Sequence, residues 1–378
     1  MTVSAGSWRR AAAQVLPLWI GSRVAIVLLT LGSAWLLPPG DRGRDPAFLD
    51  QWHHWDTDLF RKVAEFGYFS PAYQDRAEAF FPGQPLAMRV VHLLVRDWIA
   101  SGMVVAAVAG AVACVALHRL AVQDAGDEAG RRAVLYLVLF PYAVFLFAGY
   151  SEALFLAFAT TAWLAARREA WWLAGALGAG ASLTRVSGIA LGVGLGVQYL
   201  AQRWPRERWR SFVSRDAPAL LLPAVPVVGY VAYLHARTGH WDAYQRALSE
   251  GWGRHSGLPF SGLQATWRLA TGSGQARAYI WSWRAELLAM AIGAAVAVVL
   301  LLSRRWGEAA YVGTSVLMLS TSSFYQSTAR GLLVWFPAFL LLARVSLRVR
   351  WLHLAVLTAF APLCALTVLA FTAGTWLG

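Results

Sequence analysis

Apolar runs follow one another along almost the whole chain, with short polar stretches between them. Many of these runs approach the roughly 20 helical residues that cross a bilayer's hydrocarbon core. The pattern predicts spans over about 14–37, 99–121, 133–148, 152–166, 170–183, 186–201, 217–235, 285–303, 309–322, 330–343 and 352–374. That makes about eleven crossings, although the runs 170–183 and 309–322 are short enough to be halves of re-entrant hairpins. The expected fold is an all-α, polytopic membrane bundle forming one domain over 1–378. In lipid, helices satisfy every backbone donor and acceptor internally.

Two longer polar stretches, 38–98 and 236–284, interrupt the series. Pro38-Pro39-Gly40 should end the first span, since proline cannot extend the hydrogen-bond ladder. From 50 to 66, Leu59, Phe60, Val63 and Phe66 recur at helical spacing. They predict a short helix lying in the interface, with Trp52 and Trp55 at headgroup depth. Over 84–96, Leu86, Val90, Leu93 and Leu94 share one face, and Arg89 and His92 argue for a surface helix rather than a crossing. The second stretch carries Trp241, Trp252, Trp267, Trp281 and Trp283 among Gly and Ser. It reads either as a saccharide or headgroup surface or as an ordinary aromatic belt.

Composition agrees, with 58% hydrophobic and 14% charged residues excluding a soluble domain. The net charge of +13 could suggest nucleic acid, but the basic residues are almost all Arg and many sit in short loops. Arg9, Arg10, Arg131, Arg132, Arg167, Arg168, Arg203, Arg208, Arg210, Arg304 and Arg305 fall on one side if the N-terminus is cytoplasmic. Both long polar stretches then face outward, across the plasma membrane, and no nucleic-acid partner is expected. Arg9-Arg10 resembles a signal-peptide n-region, but the apolar run after it is too long, so it reads as a retained helix. Cys114 and Cys364 lie inside apolar runs and read as small core residues.

Candidate chemistry gathers in the polar tips. Trp52-His53-His54-Trp55-Asp56-Thr57-Asp58 packs two carboxylates, two imidazoles and two indoles into seven residues. The turn Gly149-Tyr150-Ser151-Glu152 sets a carboxylate between apolar helices. There Glu152 either caps the next helix through its dipole or is functional. Ser182-Leu183-Thr184-Arg185-Val186-Ser187-Gly188 places a guanidinium, a fork matched to phosphate oxygens, at another turn. A third turn, hydroxyl-rich from Ser320 through Tyr325, ends on Arg330. The alternative for Arg185 is a structural salt bridge, with Glu152 as a candidate partner, and for Arg330 a simple interface anchor. The predicted topology puts Asp56, Asp58, Glu152, Arg185 and Arg330 on one membrane face.

These motifs, in order, resemble the PIG-V (GPI mannosyltransferase II-like) family. The resemblance is carried by Trp55-Asp56, Phe60, Gly67-Tyr68, Ala79-Phe80-Phe81-Pro82, Tyr150-Ser151-Glu152, Leu183-Thr184-Arg185 with Gly188, and Arg330 upstream of Phe336-Pro337. It extends from about 50 to about 340, and the composition suits a bacterial, actinobacterial relative. Leu59 stands where eukaryotic members tend to carry His. The resemblance implies a GT-C class glycosyltransferase with a polyprenyl- or dolichyl-phosphate mannose donor. It also implies an essential acid in the first outward loop, which maps to Asp56, and an acceptor that is a cell-envelope glycan or lipid.

On that reading Asp56 is the general base and Asp58 the backup acid. Arg185 and Arg330 bind the donor phosphate. His53, His54, Trp55, Tyr150, Glu152 and Tyr325 are the expected substrate contacts. Asp56-Thr57-Asp58 is a D-x-D triplet, a weak signal for a divalent metal, but a lipid-phosphate donor requires none and no cofactor is expected. The competing reading is a transporter or flippase for the lipid-linked sugar, for which Arg23 inside the first span is the one suggestive residue.

Overall fold

The computed structural model describes residues 5–36, 47–207, 214–273 and 276–377. The expected helix stop at Pro38-Pro39-Gly40 and the basic residues Arg208 and Arg210 lie outside the described residues. In chain order the helices are α1 (Ala5–Leu36), α2 (Asp56–Phe66), α3 (Gly83–Val95), α4 (Trp98–Ala125), α5 (Asp127–Val138), α6 (Glu152–Ala166), α7 (Trp171–Thr184) and α8 (Gly188–Glu207). They continue with α9 (Val225–Thr238), α10 (Ala243–Trp252), α11 (Pro259–Thr271), α12 (Arg277–Leu302), α13 (Trp306–Ser320), α14 (Thr328–Gly331), α15 (Phe336–Arg348) and α16 (Arg350–Thr372). Among the described residues the β structure is one isolated bridge, Ser256 with Ser322.

The all-α membrane fold is as expected, but fewer helices have full crossing length. Among the described residues five are long and apolar enough: Trp8–Ala34, Trp98–Ala125, Ala217–Thr238, Tyr279–Leu302 and Arg350–Thr372. Counting the broken pair Thr328–Val334 with Phe336–Arg348 as one span gives six. Other apolar runs fold into shorter pieces, such as α6 with 15 residues and α7 with 14, whereas α8 has 20. At 1.5 Å per residue, α7 reaches about 21 Å, short of a hydrocarbon core of about 30 Å. The run 133–148 is split, with α5 ending at Val138 and a 3₁₀ turn following at Ala143–Leu146. Pro141 stands in the gap and cannot donate to a helical ladder.

The chain divides into two compact units: 1–65, 84–160 and 336–377 form one, and 66–83 with 161–335 the other. In the first, α1 packs on α4 and α16, and α15 packs on α4 and α5. Arg23 of α1 is buried, with its guanidinium 4.1 Å from the Trp19 ring and 5.8 Å from that of Phe147. Those cation–π contacts keep a charge inside an apolar bundle by packing. The outward face of α3 is as the periodicity predicts, with Leu86, Val90, Leu93 and Leu94 between 46% and 87% exposed. Arg89, on the same helix, turns inward and donates to the carbonyls of Ala64 and Val63 at 2.5 and 3.3 Å. These are orphan carbonyls at the end of α2.

In the second unit α13 packs on α8 and α12, and α7 on α8 and α9. Several arginines from the predicted cytoplasmic loops are paired here. Arg167 donates to Glu308 at 3.0 Å, Arg305 to the same carboxylate at 2.7 Å, and Arg203 to Asp216 at 2.6 Å. The long stretch 236–284 is largely helical, as α10 and α11, and it keeps Trp241, Trp267 and Trp281 exposed.

Candidate active site

In the first unit, the site grows from the opening motif. Leu49 to Trp52 turn in a short 3₁₀ coil, and Trp52 is fully buried. Its indole packs on Phe147 at 4.8 Å and Phe371 at 5.6 Å. Trp52 is therefore a core anchor, not the headgroup-depth residue its interfacial setting predicted. Gln51 beside it is buried too and accepts from Ser33 Oγ at 3.2 Å, and Ser33 also shares a hydrogen bond with Thr372 at 3.1 Å. Trp55 follows at φ 54, in the left-handed region that a bulky residue seldom adopts, with its indole exposed. Such local strain persists only where neighbouring contacts hold it.

Those contacts come next. Asp56 opens α2, and its backbone N–H donates to the Tyr150 hydroxyl at 3.2 Å. Thr57 Oγ1 donates to the Ala148 carbonyl at 2.9 Å, and Gln84 Nε2 to that of Gly149 at 2.8 Å. Gly149 sits at φ +76, and a Cβ there would lie 3.1 Å from the Gly102 backbone, so glycine is required twice over. Tyr150 is buried between the rings of Phe145, at 4.7 Å, and Phe60, at 6.4 Å. Glu152, fully buried, begins α6 two residues on. The structure thus brings together Asp56 and Tyr150, which the sequence separates widely. His54 lies with its ring 6.0 Å from Phe371.

Asp58 has a different environment. It receives His53 Nε2 at 2.8 Å, Arg61 Nη2 at 3.0 Å and Lys62 Nζ at 2.7 Å. Burial alone would raise its pKa, but hydrogen bonds from Lys62, His53 and Arg61 outweigh it and bring the carboxyl down to about 2. A depressed folded-state pKa means that this anchor is fully present above the unfolded value of about 4 and is lost as pH falls through about 2. Asp58→Asn should accordingly lower the thermal midpoint by a few degrees, roughly what a loss on the order of 1 kcal/mol from a partly exposed ion-pair network gives. Differential scanning fluorimetry at pH 7 checks this, and the gap to wild type should close by about pH 2.

In the second unit the two predicted guanidinium groups stand at tight turns. Arg185 leaves α7 in an extended conformation, and its carbonyl accepts from the Gly188 amide at 3.0 Å. A Cβ on Gly188 would lie 2.3 Å from Ser182 Cα, and one on Gly83 would lie 2.8 Å from the Leu183 carbonyl oxygen. Close backbone approach thus explains both glycines, one after Leu183-Thr184-Arg185 and one after Phe81-Pro82. Gly188→Ala should cost about 1–3 kcal/mol through overpacking, read as a lower thermal midpoint and lower detergent-extracted yield.

Arg330 is buried in the single-turn helix α14. That turn is organised by Glu286 of α12, whose carboxylate accepts from the amides of Thr328 at 2.6 Å and Ala329 at 3.3 Å. Tyr325, also buried, is anchored by its backbone N–H donating to Thr266 Oγ1 at 2.8 Å. Arg254 lies beside this turn, its Nε 3.3 Å from Ser322 Oγ. Sequence reading missed both Arg254 and Glu286. Glu286 had a signal, since a carboxylate in an apolar run must be paired or functional. Arg254 had none, because its place depends on a pairing between distant segments.

The fold these elements build is similar to that of ArnT from Cupriavidus metallidurans bound to undecaprenyl phosphate. That likeness has a TM-score of 0.51 at 18% identity over 88% of this chain and 60% of that one. The oligosaccharyltransferase of Archaeoglobus fulgidus, in complex with Zn and sulfate, is more distant, with a TM-score of 0.47 at 12% identity over 94% of this chain and 53% of that one. The chain thus spans about three fifths or less of the length of these neighbours. More particularly, residues 45–201 match the mannosyltransferase (PIG-V) family. That stretch holds Asp56, Tyr150, Glu152 and Arg185, and the match bears out the resemblance read from the motifs. No curated protein matches the chain.

Proposed function

We propose that the protein transfers a sugar, mannose by its family match, from a polyprenyl-phosphate carrier to a hydroxyl of a cell-envelope glycan or glycolipid. The reaction takes place on the extracytoplasmic side of the plasma membrane, with the N-terminus cytoplasmic. The observation that carries this reading is the match over 45–201 together with the place of Asp56 at the head of α2, beside Tyr150. The undecaprenyl phosphate bound by ArnT supports a lipid phosphate as the carrier.

Asp56 accepts the proton of the acceptor hydroxyl as its oxygen bonds to the anomeric carbon. The anomeric carbon–oxygen bond to phosphate breaks, and its electron pair leaves on the phosphate, where Arg185 and Arg330 stabilise the added charge. A single displacement inverts the anomeric configuration. Asp58, bound by Arg61, Lys62 and the His53 imidazole, holds the motif in place rather than moving a proton. His53 thereby becomes a partner of Asp58, while Trp55, with its exposed indole, suits stacking on a sugar ring. No metal is needed when guanidinium groups meet the phosphate.

Purified protein in nanodiscs, given labelled polyprenyl-phosphate mannose and an envelope-lipid acceptor fraction, tests this. Appearance of label in acceptor and of free polyprenyl phosphate supports it. Movement of intact donor between vesicles without bond cleavage would replace it with the flippase reading.

A further inference from the structure

The long outward stretch contributes a cation that the donor-phosphate reading did not include. Residues 254–257 pair with 321–323. Ser256 bridges Ser322, the Gly257 amide donates to the Thr321 carbonyl at 2.6 Å, and the Ser323 amide donates to the His255 carbonyl at 2.8 Å. The His255 amide adds a bond to Ser323 Oγ at 3.1 Å. Gly262 of α11 lies so close behind that a Cβ would sit 2.4 Å from the Ser322 carbonyl oxygen. This pairing fixes the backbone that carries Arg254 against the turn that carries Arg330.

Its electrostatics are unusual. The half-buried Arg254 guanidinium is disfavoured by burial; Tyr244 and Glu286 oppose that effect, and the like charge of Arg330 adds to it. Burial raises the pKa of the Tyr244 hydroxyl, against which both Arg254 and Arg185 act. Arg254 thus lies within electrostatic reach of Arg330 and of the Glu286 carboxylate, and it shares Tyr244 as a neighbour with Arg185, so a phosphate arriving there meets three guanidinium groups against one carboxylate.

We infer that Arg254 is a third guanidinium of the phosphate site, held in register by the Ser256–Ser322 pairing, and that it acts on the leaving phosphate more than on the bound donor. The inference rests on the glycosyl-transfer reading above. A polyprenyl-phosphate sugar is a phosphodiester with one negative charge. Once the anomeric bond breaks, the phosphate is a monoester with about 1.5–2 negative charges at neutral pH. A guanidinium that two others already supplement gains most as that second charge develops, so it favours the transition state over the ground state. Its loss should appear in kcat and in product affinity, with donor KM little changed.

The test uses the full-length protein in nanodiscs, with labelled polyprenyl-phosphate mannose for turnover and labelled polyprenyl phosphate for direct binding. Arg254→Ala should lower kcat on the order of 10²-fold, as loss of one charge-stabilising donor does elsewhere. It should weaken polyprenyl phosphate at least about tenfold and shift donor KM by less than about threefold. Arg268→Ala, an exposed arginine of α11, should match wild type and so exclude a general effect of charge in this stretch. If Arg254→Ala does not fold, Arg254→Gln keeps a donor for Ser322 without the charge and carries the same expectations. Wild-type kcat with wild-type product affinity, or a change confined to donor KM, overturns the inference. If the wild-type protein binds polyprenyl phosphate in an Arg254-dependent way but cleaves no sugar from the donor, the transfer reading falls and the Arg254 site stands.

Discussion

On the transfer reading, Asp56→Asn should lower the turnover number by about 10²–10⁴-fold, the range over which a positioned general base accelerates proton removal. The substitution is nearly isosteric and leaves the backbone N–H that donates to Tyr150 untouched. Thr57 still reaches the Ala148 carbonyl, so the start of α2 stays in place. What is lost is the capacity to take a proton, since an amide does not accept one at neutral pH. Donor affinity should stay within about threefold of wild type, because the base acts in the transition state and not in donor binding. Steady-state kinetics beside equilibrium binding of the donor separates the two. Asp58→Asn, two positions along, should by contrast keep turnover within about threefold and change mainly stability, as its bonds to Arg61, Lys62 and His53 indicate.

Arg330→Ala is expected to lower turnover by about 10²–10³-fold, the loss seen when a preorganised donor to a developing oxyanion is removed. Its guanidinium is buried, and its backbone is held by a turn whose amides are fixed on the Glu286 carboxylate. The group is therefore preorganised, with little conformational freedom left to lose when the phosphate arrives. Arg330→Lys should recover only part of the activity, since an ammonium offers a point charge where the phosphate meets a planar fork. Competition by free acceptor should be unaltered in both variants, while use of the donor falls. The reverse pattern, acceptor use impaired and donor use intact, would reassign Arg330 to the acceptor.

The sequence carried more of the polar tips than of the bundle. Periodicity placed α3 and its apolar face correctly, because Leu86, Val90, Leu93 and Leu94 have no competing demand. Motif order led to the Asp56, Tyr150 and Arg185 turns, and Gly149 and Gly188 in the latter two prove to be sites of close backbone approach. The number of crossings was less legible. Hydropathy does not report that Pro141 splits one run, nor that α7 stops at 14 residues where Arg185 takes an extended conformation. Trp52 deceived for a related reason. An indole next to a charged loop reads as interfacial, whereas here the rings of Phe147 and Phe371, from remote segments, close over it. Arg254 was beyond reach because a two-residue bridge between Ser256 and Ser322 leaves no periodic trace.

The measurement that bears most directly on this account is the anomeric configuration of the product, read by NMR after single turnover of polyprenyl-phosphate mannose on the purified protein. A single displacement with Asp56 as base predicts a glycoside of configuration opposite to that of the donor, together with one polyprenyl phosphate for each sugar transferred. Retained configuration, or donor recovered intact on the far side of the membrane, would contradict it.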